Sequence, residues 1–249
     1  MIIDSIKTEK ITLFLKKLVD ILDQADFSFQ EKSILAITSK IVSLCEGRVI
    51  KKGTSDKKTL IEKEADYFLP GWKNQYGITL TIKNNILIPS AGIDESNAAG
   101  YYVLWPKNSQ KTANEIRKHI CSRFKIKNAG VIITDSTTAP LRFGTTGIAI
   151  AHSGFSATNS YIGKPDLFGR KLRVTKADIA DALATSAVVV MGEGSEQTPL
   201  AIIRDIPFVV FQERNPTKKE LQSRRISIKK DVYASLLTAV KWKTKKRVV

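Results

Sequence analysis

Ile78-Thr-Leu-Thr-Ile-Lys-Asn-Asn-Ile-Leu-Ile88 alternates apolar and polar residues with period two, turns at Asn84-Asn85 and resumes as a second apolar run, the pattern of a β-hairpin. On either side lie segments of another kind. Ser33-Ile-Leu-Ala-Ile-Thr38 and Val131-Ile-Ile-Thr134 are short continuous apolar runs, the mark of strands buried on both faces. Helices separate them. Residues 9–22 carry Ile11, Leu15, Leu18 and Leu22 on one stripe, and Ser109 to Phe124 places Ala113, Ile116, Ile120 and Phe124 on one face, with His119 opposite. Thr54 to Asp66 predicts a surface helix with Leu60, Ile61 and Ala65 inward. Thr175 to Val190 predicts another, opened by a Thr175-x-x-Asp178 capping pattern. Tyr101 to Trp105, Leu200 to Ile203 and Phe208 to Phe211 complete the strands. Alternating strands and helices favour a parallel sheet, but the hairpin breaks that pattern. The expected class is therefore α+β: a large mixed β-sheet with flanking helices.

The chain has 249 residues, 43% hydrophobic and 26% charged, enough apolar surface for a real core. Collagen-like and wholly disordered classes are excluded. Two Cys and two His supply neither a disulfide framework nor a zinc spacing. No run of about 18 apolar residues occurs, so no membrane contact and a cytoplasmic location are expected. The net charge of +16 is uneven: residues 212–249 hold 12 basic and 3 acidic side chains, a net +9. We divide the chain into residues 1–211, with a subdomain boundary near the Gly-rich stretch 142–163, and a basic segment 212–249, helical in part. Lys241-Trp-Lys-Thr-Lys-Lys-Arg247 is read as solvated tail, with nucleic-acid contact as the alternative.

Three acidic turns stand out: Ser90-Ala-Gly-Ile-Asp-Glu-Ser-Asn97, Ile133-Thr-Asp-Ser-Thr-Thr138 and Met191-Gly-Glu-Gly-Ser-Glu-Gln-Thr-Pro199. Each follows an apolar element. Taken singly, each carboxylate is a turn former or helix cap. Taken together they offer the hard oxygen donors of a magnesium or manganese site that also takes phosphate. Gly192 and Gly194 leave room for backbone amides to approach phosphate oxygens. Neither a P-loop nor a dinucleotide-binding fingerprint is present, and no Gly-x-Ser-x-Gly elbow. His152, after Ile148-Ala-Ile-Ala151, reads as a core or turn histidine. Arg142, Lys164 and Arg170, among glycines, are candidates to clamp an anion, with solvated surface charge as the other reading.

Ile37-Thr-Ser-Lys-Ile-Val-Ser43, Glu46-Gly-Arg48, Ala91 to Asn97, Val131 to Asp135, Tyr161-Ile-Gly-Lys-Pro-Asp-Leu-Phe-Gly-Arg170 and Val190-Met-Gly-Glu-Gly194, in that order, resemble the coenzyme F420:L-glutamate ligase family. The resemblance implies a γ-glutamyl ligase that joins a carboxylate acceptor to the amine of L-glutamate through an acyl phosphate, at the cost of GTP or ATP. It further implies an intertwined homodimer with two interleaved subdomains. By the same resemblance Asp94 and Asp135 hold one divalent metal, and Ser136 with Glu193 a second, so that Asp94, Asp135 and Glu193 are the catalytic acids. Ser39, Lys40, Asn97 and the stretch Met191, Gly192, Glu193, Gly194, Ser195, Glu196, Gln197, Thr198 contact the nucleotide.

The sequence departs from the family at four points. No Gly-Leu-Pro segment stands near the start, where the first Gly is Gly47 and the first Pro is Pro70. Leu44 replaces a frequent Lys, Ser136 a usual Thr, and Phe143 follows Arg142 where a second Arg is common. Residues 82–97 and Tyr101 to Lys107 resemble most a branch assigned to folate metabolism, so a folate acceptor is the first expectation and the deazaflavin precursor the second. The competing class is a non-catalytic nucleic-acid-binding protein. Asp94, Asp135 and Glu193 argue against it, because unneutralised carboxylates repel phosphate.

Overall fold

The computed structural model describes residues 1–12, 17–71 and 74–244. In chain order the elements are β1 (Ile2–Ile6), α1 (Leu18–Gln24), β2 (Ser33–Thr38), α2 (Ser39–Cys45), β3 (Val49–Lys51), α3 (Lys57–Glu64), β4 (Tyr67–Phe68), β5 (Leu80–Lys83) and β6 (Ile86–Pro89). A 3-10 turn at Ser90–Gly92 leads to β7 (Tyr101–Val103), α4 (Ser109–Phe124), β8 (Ala129–Thr137), β9 (Thr146–Ser153), β10 (Thr158–Ser160), β11 (Lys176–Asp178), α5 (Ile179–Met191) and β12 (Leu200–Arg204). The C-terminal segment adds α6 (Lys218–Ser223), a 3-10 turn at Ile228–Lys230, α7 (Ala234–Thr238) and β13 (Lys243–Thr244).

The main sheet runs β1-β12-β2-β8-β9. Only β2 and β8 are parallel neighbours; the other three pairings are antiparallel, so the sheet is mixed and the class α+β. Its core is two-sided. Leu35, Ile37, Val131, Ile133, Leu200 and Ile202 face Leu22 of α1 and Ala113, Ile116 and Ile120 of α4. The residues between them, Ile34, Ala36, Ile132, Ala201 and Ile203, face Ala180, Leu183, Ala184 and Ala187 of α5. Period-two alternation with both faces covered explains why these strands carry no polar stripe. Each buried Leu or Ile contributes about 1.5–3 kcal/mol. At Gly147 a Cβ would stand 2.6 Å from the carbonyl oxygen of Ala184, so glycine is what lets β9 lie against α5.

A second sheet, β13-β4-β5-β6, contains the expected hairpin. Asn84 and Asn85 have φ of 51° and 66°, the left-handed pair that a two-residue hairpin turn needs. Two ribbons, β3-β7 and β10-β11, complete the pairing.

Several elements depart from the expected limits. Helix α1 starts at Leu18 instead of residue 9; Thr8 to Ile11 instead line a cavity, the Thr8 amide donating to the Gln197 carbonyl at 2.9 Å. Leu15, on the expected stripe, lies outside the described residues. Helix α5 is capped by Asp178, whose side chain accepts from the Asp181 amide at 3.1 Å, because Lys176–Asp178 are occupied pairing with β10. Phe208 to Phe211 is not a strand. It makes a single bridge, Phe155 to Phe211, after a positive φ at Phe208. Residues 146–153, inside the Gly-rich stretch, form β9.

Candidate active site

Because β2 and β8 are parallel, their carboxyl ends reach the same edge of the sheet, where open α/β sheets bind ligands. Thr38 ends β2 and caps α2, accepting from the Ile41 amide at 3.4 Å, and so delivers Ser39 and Lys40. β8 carries Asp135 and Ser136, just beyond a shift of register at Ile133/Thr134; such irregularities re-aim side chains beside functional sites. The antiparallel neighbours bring their connections to this edge as well. Residues 192–199, between α5 and β12, are tied by Thr198, whose hydroxyl donates to the Met191 carbonyl at 2.6 Å.

The opposite wall comes from the hairpin sheet. Ser90, Ala91 and Gly92 all have positive φ (51°, 55° and 70°), a strained run of the kind concentrated at functional sites. Buried Thr81 braces it: its hydroxyl accepts from the Ala91 amide at 2.8 Å and donates to the Ile88 carbonyl. The turn leads into Asp94, whose backbone bridges Val103. Asp94 Oδ1 accepts from the Glu95 and Ser96 amides at 2.6 and 2.8 Å, and its Oδ2 pairs with Lys40 Nζ at 2.5 Å. Burial works against ionising Asp94, but Lys40 and the Ser96 donors hold its carboxyl below the ordinary value.

Asp135 is placed differently. Desolvation pushes its pKa up to about 6, against the opposing pull of Trp105, the Ser136 amide and Ser39, and the Asp94 charge adds to the rise. Trp105 Nε1 donates to Oδ2, and Ser39 Oγ donates to Oδ1 at 3.2 Å. Among the described residues no Lys, Arg or His pairs with it. Ser136 Oγ donates to Glu193 Oε1 at 2.6 Å, Asn97 Nδ2 donates to the Gly194 carbonyl at 2.8 Å, and the Gly194 amide donates to Glu196 Oε2 at 2.8 Å.

These groups share one cavity of about 850 Å³. It is lined by Ser39, Lys40, Asp94, Asn97, Asp135, Ser136 and the whole stretch Met191 to Thr198. Arg142, Lys164 and Arg170 are not in its wall; all three are exposed on loops. Leu44, where a charge was the family expectation, is buried against Ile21, Ile41, Ala98 and Val103, so the apolar residue serves the packing. His152 is a core histidine: its ring packs on Phe155 at 5.5 Å, and burial lowers its pKa to about 4. Among the described residues no three His, Cys, Asp or Glu side chains form a ready metal cluster. A second cavity, of about 910 Å³, opens at the far edge among Lys32, Asn128, Arg204 and Phe211, and holds none of these acids.

Sequence reasoning missed three parts of the wall. Residues 9–11 fall within the expected helix and Thr8 just before it, the Ser90–Gly92 turn announces its strain only through one glycine, and Trp105 reads as the end of a strand. No spacing links Trp105 to Asp135, thirty residues on.

The F420-0:Gamma-glutamyl ligase family matches residues 9–205. The chain is 38% identical over 211 residues to a coenzyme F420:L-glutamate ligase of Methanococcus maripaludis strain C7, covering 78% of this chain and 83% of that one. It is 38% identical over 203 residues to the protein of that name from Methanocaldococcus jannaschii, covering 74% and 80%. With that from Methanopyrus kandleri it shares 32% over 207 residues, covering 76% and 81%. No helix among the described residues is long and apolar enough to cross a membrane. A cavity walled by residues from four of the six motifs, in a chain matched over most of its length, leads to one conclusion: the protein belongs to the F420-0:Gamma-glutamyl ligase family of amide-forming ligases.

Proposed function

We propose that the protein is a coenzyme F420:L-glutamate ligase, driven by GTP or ATP. The observation that carries this reading is the convergence of Asp94, Asp135, Ser136, Glu193, Lys40 and Asn97 from two sheets onto one cavity, in a chain whose relatives bear that name. The folate acceptor, first in the sequence reading, gives way to the deazaflavin precursor, because the names of these relatives specify coenzyme F420. Both acceptors carry a carboxylate on an arm beside a flat ring. Ile11, Ile41, Leu44 and Ile78 give the cavity an apolar wall suited to such a ring.

In the reaction an oxygen of the acceptor carboxylate attacks the γ-phosphorus and the nucleoside diphosphate leaves. The glutamate amine then attacks the acyl carbon, phosphate departs with the bonding pair, and the nitrogen sheds a proton. Lys40, Asn97 and the loop Gly192 to Gly194 line the wall against which the triphosphate would lie, and the cavity would shield the acyl phosphate from water.

The donor set suits divalent magnesium or manganese. Asp94 with Asp135 would hold one ion and Ser136 with Glu193 the other, and such ions take one or two protein carboxylates each, with phosphate and water completing the shell. The desolvated, cation-free Asp135 is the observation in favour. When bound, the metals neutralise charge on the phosphate oxygens.

We assign the assembly as a homodimer. Leu141, Phe143, Leu167 and Phe168 are almost wholly exposed, on the β8–β9 loop and the arm between β10 and β11, apolar side chains that a subunit interface would cover.

The test combines purified protein, L-glutamate and Mn or Mg with GTP or ATP, and with the deazaflavin precursor or tetrahydrofolate, reading products by mass. One glutamate added to the deazaflavin acceptor is the expected result. Addition to folate alone, or to neither, would overturn the assignment.

A further inference from the structure

Lys83, which is buried, and Arg48 and Glu64, which are half-buried, form an ionic cluster that the chemistry above leaves without a task. Arg48 Nη2 donates to both Glu64 oxygens at 2.9 Å, and Lys83 Nζ donates to Glu64 Oε2 at 2.7 Å. Burying such a group is expensive, and an apolar replacement of like size often gives an equal or more stable fold. Stability alone is a poor reason for it.

What the cluster touches is Trp105. Arg48 Nε donates to the Trp105 carbonyl at 3.1 Å, and Lys83 Nζ stands 5.3 Å from the centroid of its ring. The indole is thus gripped by its backbone and by its face. Trp105 is 2% exposed and packs with Ile88 of the hairpin sheet and Ile148 of the main sheet. At Gly92 a Cβ would fall 2.1 Å from Nε1, so the strained turn leaves open the line on which the N–H reaches Asp135 Oδ2. Ser39 fixes the other oxygen.

We infer that Trp105 is the positioning residue of Asp135, and that Arg48, Glu64 and Lys83 are the clamp that aims its indole N–H. Donors on both carboxylate oxygens lock the plane of the group and leave lone pairs for a cation in the cavity, as outer-sphere partners of metal ligands do. The inference rests on the role proposed above for Asp135.

The experiment uses full-length protein, Trp105→Phe and Lys83→Met. Free Mn(II) is titrated by electron paramagnetic resonance, kcat and the KM for Mn are measured separately, and melting is followed for each. Trp105→Phe keeps the ring and loses the donor. Mn affinity should fall by about tenfold or more, the KM for Mn should rise by more than kcat falls, and melting should drop by only a few degrees. Lys83→Met should move the same readouts in the same direction by less, and it answers the question if the Trp105 variant does not fold. Wild-type Mn affinity in a folded variant, or losses that follow melting alone, would overturn the inference, as would a wild-type protein that binds no Mn. A wild-type protein that binds Mn in this Trp105-dependent way and yet joins no glutamate overturns the ligase assignment alone.

Discussion

The hydroxyl of Ser136 donates to Oε1 of Glu193 across 2.6 Å, so the end of β8 and the loop after α5 meet at one point although 57 residues separate them. Glu193 is exposed and carries no packing. Glu193→Gln should therefore melt like the wild type while glutamate ligation falls by roughly a hundredfold, and Ser136→Ala should lose less because the carboxylate remains. Steady-state rates with circular dichroism melts check both.

Asp135 joins function to instability. Its folded pKa of about 6 exceeds the ordinary 3.8, so the folded state holds this proton more tightly than the unfolded chain. That contribution is complete below about pH 3.8 and is lost as pH rises through about 6. At pH 8 the metal-free protein therefore carries an ionised carboxylate that burial disfavours. Asp135→Asn should abolish ligation yet stabilise the metal-free protein at pH 8 by on the order of 3 kcal/mol, with most of the gain gone at pH 4. Urea unfolding at the two pH values measures it.

His152 runs the other way. Burial, with the Arg224 guanidinium nearby, lowers its pKa to about 4 from 6.5. The unfolded chain takes up this proton first as pH falls, so stability is full above about 6.5 and drains away towards 4. Between pH 7.5 and pH 5 the loss from this group is about 2 kcal/mol. His152→Gln should flatten the wild-type pH dependence by that amount in urea titrations at the two pH values.

How much of this was legible in the sequence depended on where the stabilising partner lies. Ser33–Thr38 and Ser109–Phe124 match their expected limits because continuous apolar burial and a 3.6-residue stripe are properties of the segment itself. The hairpin declared itself through Asn84-Asn85. Ile2–Ile6 went unread because an edge strand with one buried residue has no pattern of its own; it exists by pairing with β12, some two hundred residues on. The acids of the cavity were readable as turns after apolar runs. The indole N–H of Trp105 was not, because its partner is set by how two sheets pack.

The exposed apolar loops give a prediction about assembly. If the proposed homodimer forms through these loops, replacing Leu167 and Phe168 with Ser should shift the sedimentation coefficient from dimer to monomer while leaving the melt of the core nearly unchanged, since neither side chain is buried within the chain. An unchanged dimer would place the interface elsewhere.

The most direct test of the central claim, that this cavity phosphorylates a carboxylate and passes it to glutamate, follows an oxygen atom. With heavy oxygen in the acceptor carboxylate of the deazaflavin precursor, the released phosphate should carry one labelled oxygen for each amide formed. Amide formation with unlabelled phosphate would contradict the acyl phosphate, and phosphate release without any amide would contradict the ligase.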